Sequence, residues 1–126
     1  MNTSPQEFEY VNYLWDDKKA ASLNNDQVEL FLYRSNILGA DLRITNYGGG
    51  NTSCKTIEKD PLTNEDVEVM WVKGSGGDIG TLTRSGIAGL YTSRLRNLKN
   101  TYKGLHDEDR MVGLFNHCIY DLDSKA

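Results

Sequence analysis

The chain has 126 residues, 38% of them hydrophobic and 25% charged, the composition of an ordinary soluble globular protein with room for one domain at most. Its formal charge of -4 comes from 18 acidic and 14 basic side chains scattered without blocks, which leaves no basic stripe for nucleic acid or an anionic membrane. No apolar run reaches bilayer-spanning length, and Met1 to Tyr10 has neither a basic nor an apolar leader region, so the expectation is a cytoplasmic chain with no nucleic-acid or membrane partner.

In chain order, residues 1–21 mix aromatics (Phe8, Tyr10, Tyr13, Trp15) with charges and read as a lead-in arm. From Asn24 or Asn25, either of which can cap, Val28, Phe31, Leu32 and Ile37 recur at near-helical spacing until Gly39 offers a stop. A glycine-rich loop, Asn46 to Asn51, follows. The segments Thr52 to Ile57 and Val67 to Lys73 are rich in β-branched and aromatic residues, and Asp60 to Asn64 between them is rich in turn formers, which predicts an antiparallel hairpin. A second glycine cluster, Gly74 to Gly80, comes next. Thr83 or Ser85 is then expected to cap a helix carrying Ile87, Leu90, Tyr91, Leu95 and Leu98 on one face. A last helix is expected from near Asp107, with Met111, Val112, Leu114, Phe115, Cys118, Ile119 and Leu122 on a broad apolar face and its end at Asp121 to Ala126. The order is that of an α/β assembly in which helices cover a sheet.

The chemical signal lies in the two glycine turns, each at a strand end beside small polar side chains, a composition that can aim backbone N–H groups at an anion such as phosphate; tight turns without a ligand look the same. The spacing of Gly74, Gly76, Gly77 and Gly80 fits neither a dinucleotide fingerprint nor a Walker A loop. Lys73 reads as a cation near a phosphate rather than a Schiff-base amine. His106 and His117, eleven positions apart, read as packing or capping residues and cannot by themselves make a three-ligand catalytic zinc site. Cys54 and Cys118 lack metal or disulfide spacing and read as reduced structural thiols. Glu65, Asp66, Glu68, Asp107, Glu108 and Asp109 read as turns or helix starts, with no acid/base pair among them.

The run from Ala40 to Lys55 through Asn46-Tyr47-Gly48-Gly49-Gly50-Asn51-Thr52-Ser53, with Trp71 to Asp78 and Phe115 to Asp121, resembles the class II aldolase/adducin family over nearly the whole chain. The match is nearest to its long bifunctional members, rhamnulose-1-phosphate aldolases fused to a short-chain dehydrogenase. The resemblance implies a class II aldolase-like α/β fold, a central antiparallel sheet flanked by helices, of which residues 1–126 form the N-terminal portion of one domain. It implies a sugar-phosphate substrate held by Gly50, Asn51, Ser53, Lys73, Gly74, Ser75 and Gly76, with Gly74 standing where relatives often carry proline. It also implies zinc, with ligands and a catalytic glutamate beyond this chain, NAD in the fused dehydrogenase, and a homo-oligomeric parent. On this reading the chain alone assigns no catalytic residue and no metal ligand. A non-catalytic adducin-like interaction module is the alternative.

Overall fold

In a computed structural model the described residues are 13–46 and 48–123. The first twelve residues of the expected arm, Tyr47 of the first glycine loop and residues 124–126 lie outside them. The rest of the arm includes a short helix, α1 (Asp17–Ser22), capped by the Asp16 carboxylate, and Trp15 stacks on Tyr33 with ring centroids 4.9 Å apart.

Helix α2 (Gln27–Ala40) forms where the periodicity places it, but Asp26 is its cap: Oδ1 accepts from the backbone N–H of Val28 at 3.0 Å and of Glu29 at 3.1 Å. Asn24 and Asn25 instead make the preceding turn, with φ of 53° and 59°, a region asparagine tolerates. Gly39 does not stop the helix. A Cβ there would lie 2.2 Å from the Gly80 nitrogen, so this glycine lets α2 press against the end of the second glycine cluster.

The expected hairpin is present as β1 (Ser53–Lys59) and β2 (Asp66–Lys73), antiparallel with Thr56 opposite Val69 and Cys54 opposite Trp71. Asp60 closes its turn by accepting from the N–H groups of Leu62 (2.8 Å) and Thr63 (3.0 Å). The segment expected to open a helix at Thr83 or Ser85 does otherwise. Residues Arg84–Gly86 form a 3-10 turn, and Ile87–Tyr91 is a third strand, β3, antiparallel to β2. Ile87, Leu90 and Tyr91 therefore belong to the sheet, and only Leu95 and Leu98 lie on the helix that follows, α3 (Thr92–Thr101). Short apolar runs buried on both faces carry no helix-specific periodicity, and here pairing with β2 decides.

Among the described residues the sheet runs β1-β2-β3. One face carries Val69, Trp71 and Ile87, which pack with Val28, Phe31 and Leu32 of α2 and with Leu82 into the core. The last helix is shorter than expected. α4 (Glu108–Phe115) is preceded by a 3-10 turn at Leu105–Asp107 and followed by another at Asn116–Cys118, after which Ile119 bridges Leu90 of β3. Its broad apolar face is partly open: Val112 and Phe115 are exposed, and so is Leu122 beyond it, while Met111 and Leu114 are half-buried and Cys118 is buried. No helix among the described residues is long and apolar enough to cross a membrane.

Candidate functional site

Antiparallel pairing of β1 with β2 brings the two glycine turns, far apart in sequence, to one end of the sheet. The first turn leads into β1 and the second leaves β2; the Lys73 N–H donates to the Thr52 carbonyl at 3.1 Å, and Ser53 sits opposite Val72. Thr52 and Ser53, at the end of the first turn, are thereby set beside Lys73 and Val72, where the second turn begins. Gly50 and Gly76 have φ of 91° and 86°, the left-handed side that favours glycine. A Cβ on Gly50 would also meet Ile79 Cδ1 at 2.9 Å, so the first turn lies against the far end of the second.

The second turn is anchored at both ends. The Gly74 N–H donates to the Gly86 carbonyl at 2.9 Å, and Asp78 Oδ1 accepts from the Gly80 N–H at 3.1 Å. Gly74, Ser75, Gly77, Asp78, Thr81 and Thr83 line a cavity of about 210 Å³. Ser75 and Asn51 are exposed, and among the described residues neither side chain has a hydrogen-bond partner. Lys73 Nζ donates to the Gly74 carbonyl at 3.0 Å, so this cation is turned toward the second turn.

Three site features escaped the sequence pattern, and all lie on α2 at Arg34-Ser35-Asn36. Ser35 is fully buried; its Oγ donates to the Phe31 carbonyl at 2.8 Å and lies 2.8 Å from Thr52 Oγ1. A hydroxyl has one proton, and a carbonyl can only accept, so Thr52 must donate to Ser35. The Thr52 hydroxyl is thus turned inward and clamps the first turn to the helix. Arg34 Nη2 donates to the Ser53 carbonyl at 3.0 Å and approaches Thr52 Oγ1 at 3.4 Å. Asn36 Nδ2 donates to the carbonyls of Ile79 (3.0 Å) and Leu82 (3.1 Å), fixing the end of the second turn and the loop beyond it. One helix therefore braces both turns. Three consecutive polar residues within an otherwise apolar helical stretch are the signal that would have found them.

Burial pushes the Cys54 thiol above its ordinary range, against the opposing pull of the Arg34 charge, and burial raises Cys118 likewise, which disfavours the thiolate at both. His117 gives its carbonyl, not its ring, to Arg94 Nη1 at 2.9 Å. Among the described residues no group of three or more His, Cys, Asp or Glu side chains could hold a metal ion. These residues alone therefore offer no three-ligand site for the zinc that the resemblance implies.

No family model matches the chain. Over 111 residues it is 41% identical to an uncharacterized oxidoreductase of Bacillus subtilis (strain 168), YuxG, a match that takes in 88% of this chain and 16% of that protein. The chain thus spans about one sixth of its relative's length. Among solved structures it is similar to the N-terminal class II aldolase domain of a conserved protein from Thermoplasma acidophilum, at TM-score 0.64 and 22% identity, covering 92% of this chain and 48% of that one. The helix-backed antiparallel sheet and this likeness agree: the chain carries the class II aldolase fold, over about half of the length of that neighbour.

Proposed function

We propose that this chain supplies the phosphate-holding part of a class II aldolase domain whose substrate is a sugar phosphate. The observation that carries the reading is the meeting of the two glycine turns at one end of the sheet, with the side chains of Asn51 and Ser75 exposed and unpartnered among the described residues. Asn51, Ser75 and the Gly76 backbone N–H contact the phosphate, Gly50, Ser53 and Gly74 shape the turns around it, and Lys73 adds positive charge. In the parent protein the reaction is cleavage of L-rhamnulose 1-phosphate to glycerone phosphate and L-lactaldehyde, and a fused NAD-dependent dehydrogenase oxidises the aldehyde. Support for the fusion is the oxidoreductase name and greater length of the Bacillus relative. The contribution of this chain is binding: fixing the phosphate orients the sugar so that binding energy distant from the breaking bond serves the reaction.

Two measurements test this. Titrating the chain with glycerone phosphate should shift the amide resonances of the two turns, and Asn51→Ala with Ser75→Ala should abolish the response; silent turn amides would overturn the binding role. Assay of the chain extended through the rest of the domain, with zinc supplied, should release glycerone phosphate from L-rhamnulose 1-phosphate. Absence of cleavage of any sugar 1-phosphate would overturn the parent reaction.

A further inference from the structure

The second glycine cluster contains one large apolar side chain, Ile79, and it is 4% exposed. A run of glycines has no side chains to hold its own shape, so its geometry is set by what it packs against. The backbone around Ile79 is fixed to α2. Asn36 Nδ2 donates to the Ile79 carbonyl at 3.0 Å, and Gly80 lies so close to Gly39 that a Cβ on the latter would stand 2.2 Å from the Gly80 nitrogen. Asp78 Oδ1, accepting from the Gly80 N–H at 3.1 Å, closes the 3-10 turn Ile79–Thr81. The Ile79 side chain reaches the first turn. A Cβ on Gly50 would stand 2.9 Å from its Cδ1, 3.1 Å from its Cγ2 and 3.2 Å from its Cγ1, so the isoleucine abuts the backbone immediately before Asn51.

The two turns thus meet at a second point besides the strands. Where the strands pair, the Lys73 N–H donates to the Thr52 carbonyl at 3.1 Å; at the far end of the second turn, Ile79 meets Gly50. Asn51 lies between these points on the first turn, and Gly74 to Asp78 lie between them on the second. A loop joined at one point can swing about it, and a second junction fixes the separation. We propose that Ile79 is a positioning residue of the phosphate site: held to α2 by its backbone, it sets with its side chain the spacing between Asn51 and the Ser75–Gly76 stretch. This rests on the phosphate-binding reading above. Ile79 acts through Gly50 and touches no ligand itself; a preset spacing lowers the cost of ordering both turns around a phosphate. The contact also adds a steric requirement for glycine at position 50 to the one made by its φ of 91°.

The test is titration of the full chain with glycerone phosphate, followed at the turn amides, for the parent, Ile79→Ala, Ile79→Leu and Ile79→Val, with urea midpoints measured beside it. Ile79→Leu keeps the buried volume but moves the branch from Cβ to Cγ, so it takes Cγ2 away from Gly50 at little cost in stability. It should shift the Gly50 and Asn51 amides before ligand is added and weaken binding several-fold. Ile79→Val retains Cγ1 and Cγ2 and should bind within about twofold of the parent, whereas Ile79→Ala should weaken binding about tenfold at temperatures where it is fully folded. A residue that only fills the core would lower the urea midpoint of Ile79→Ala without changing the affinity of the folded protein. Parent-like affinity of folded Ile79→Ala, or of Ile79→Leu should the alanine variant not fold, overturns the proposal while leaving the phosphate site standing. Weakened binding with the ligand-free Gly50 and Asn51 amides unmoved overturns it too, because the loss then arises in the second turn alone. A parent chain whose turn amides do not respond overturns the phosphate reading itself, and this inference with it.

Discussion

Asp60 shows how much one side chain can close. It accepts from the Thr63 and Leu62 N–H groups and, at 2.9 Å, from the Tyr91 hydroxyl, so it joins the hairpin turn to β3. These donors, the Thr63 and Leu62 amides first and the Tyr91 hydroxyl after them, hold its carboxyl below the ordinary value of 3.8. A carboxyl depressed in the folded state contributes stability that is present above the unfolded pKa and is lost as pH falls through the folded one. Asp60→Asn should therefore lower the urea midpoint at pH 7 and flatten the acid limb below 3.8, the ordinary carboxyl value. Urea melts at several pH values check this, and an acid limb identical to the parent's would refute it. Part of the limb remains in the variant, because Arg43 beside Asp41 and Arg110 beside Asp107 depress those carboxyls as well. At Gly39 the constraint is steric. Gly39→Ala puts a methyl 2.2 Å from the Gly80 nitrogen and 2.5 Å from its Cα, backbone atoms that cannot swing aside. The expected cost is at the upper end of about 1–3 kcal/mol, read from denaturant midpoints.

Helix α2 illustrates the element scale, because its start, its buried face and its polar triplet serve different ends. Asp26 caps it and also receives Arg84 Nη2 at 2.9 Å, while Arg84 Nε reaches Glu29 at 2.8 Å, so the helix start is stapled to the turn that leads into β3. Asp26→Ala should cost about 1 kcal/mol for the cap, with little added from the exposed ion pair. A loss confined to low salt would point to the ion pair instead. Strand β3 gives the sharper test of the corrected architecture. Ile87 is 1% exposed in the core, so Ile87→Ala should cost about 2–5 kcal/mol. A surface-like effect, near zero, would return residues 87–91 to the exposed start of a helix.

At the scale of the molecule, the fold has an open edge and a partly uncovered helix. The outer side of β1 pairs with no strand among the described residues, and Arg34 covers it only at Ser53. Leu105, Val112 and Leu122 are 81%, 74% and 85% exposed, apolar surface concentrated around α4 and the segment after it. Such edges and patches favour association. The isolated chain is expected to melt broadly, bind a dye that reports exposed apolar surface, and become sharper in its melt when extended through the rest of the domain. Calorimetry with sedimentation checks this, since a cooperative melt of a monodisperse monomer would show that these residues suffice.

Local chemistry determined much of this by itself. The Val28-Phe31-Leu32 repeat predicts α2 and β-branched runs around Asp60 to Asn64 predict the hairpin, while the resemblance carried by the glycine turns, not their chemistry, implies the class II aldolase-like fold that the structure and its Thermoplasma neighbour share. These signals are short-range: a period, a turn former, a motif. What the tertiary structure alone decided is long-range. Ile87 to Tyr91 became a strand because β2 offered it a partner, and Gly39 was required by Gly80, 41 positions away as numbered. The candidate site divides the same way. Gly50, Asn51, Ser75 and Gly76 were legible as turn residues, but Arg34, Ser35 and Asn36 were not, because a polar side chain within a helix gains its meaning from the backbone groups it reaches across space.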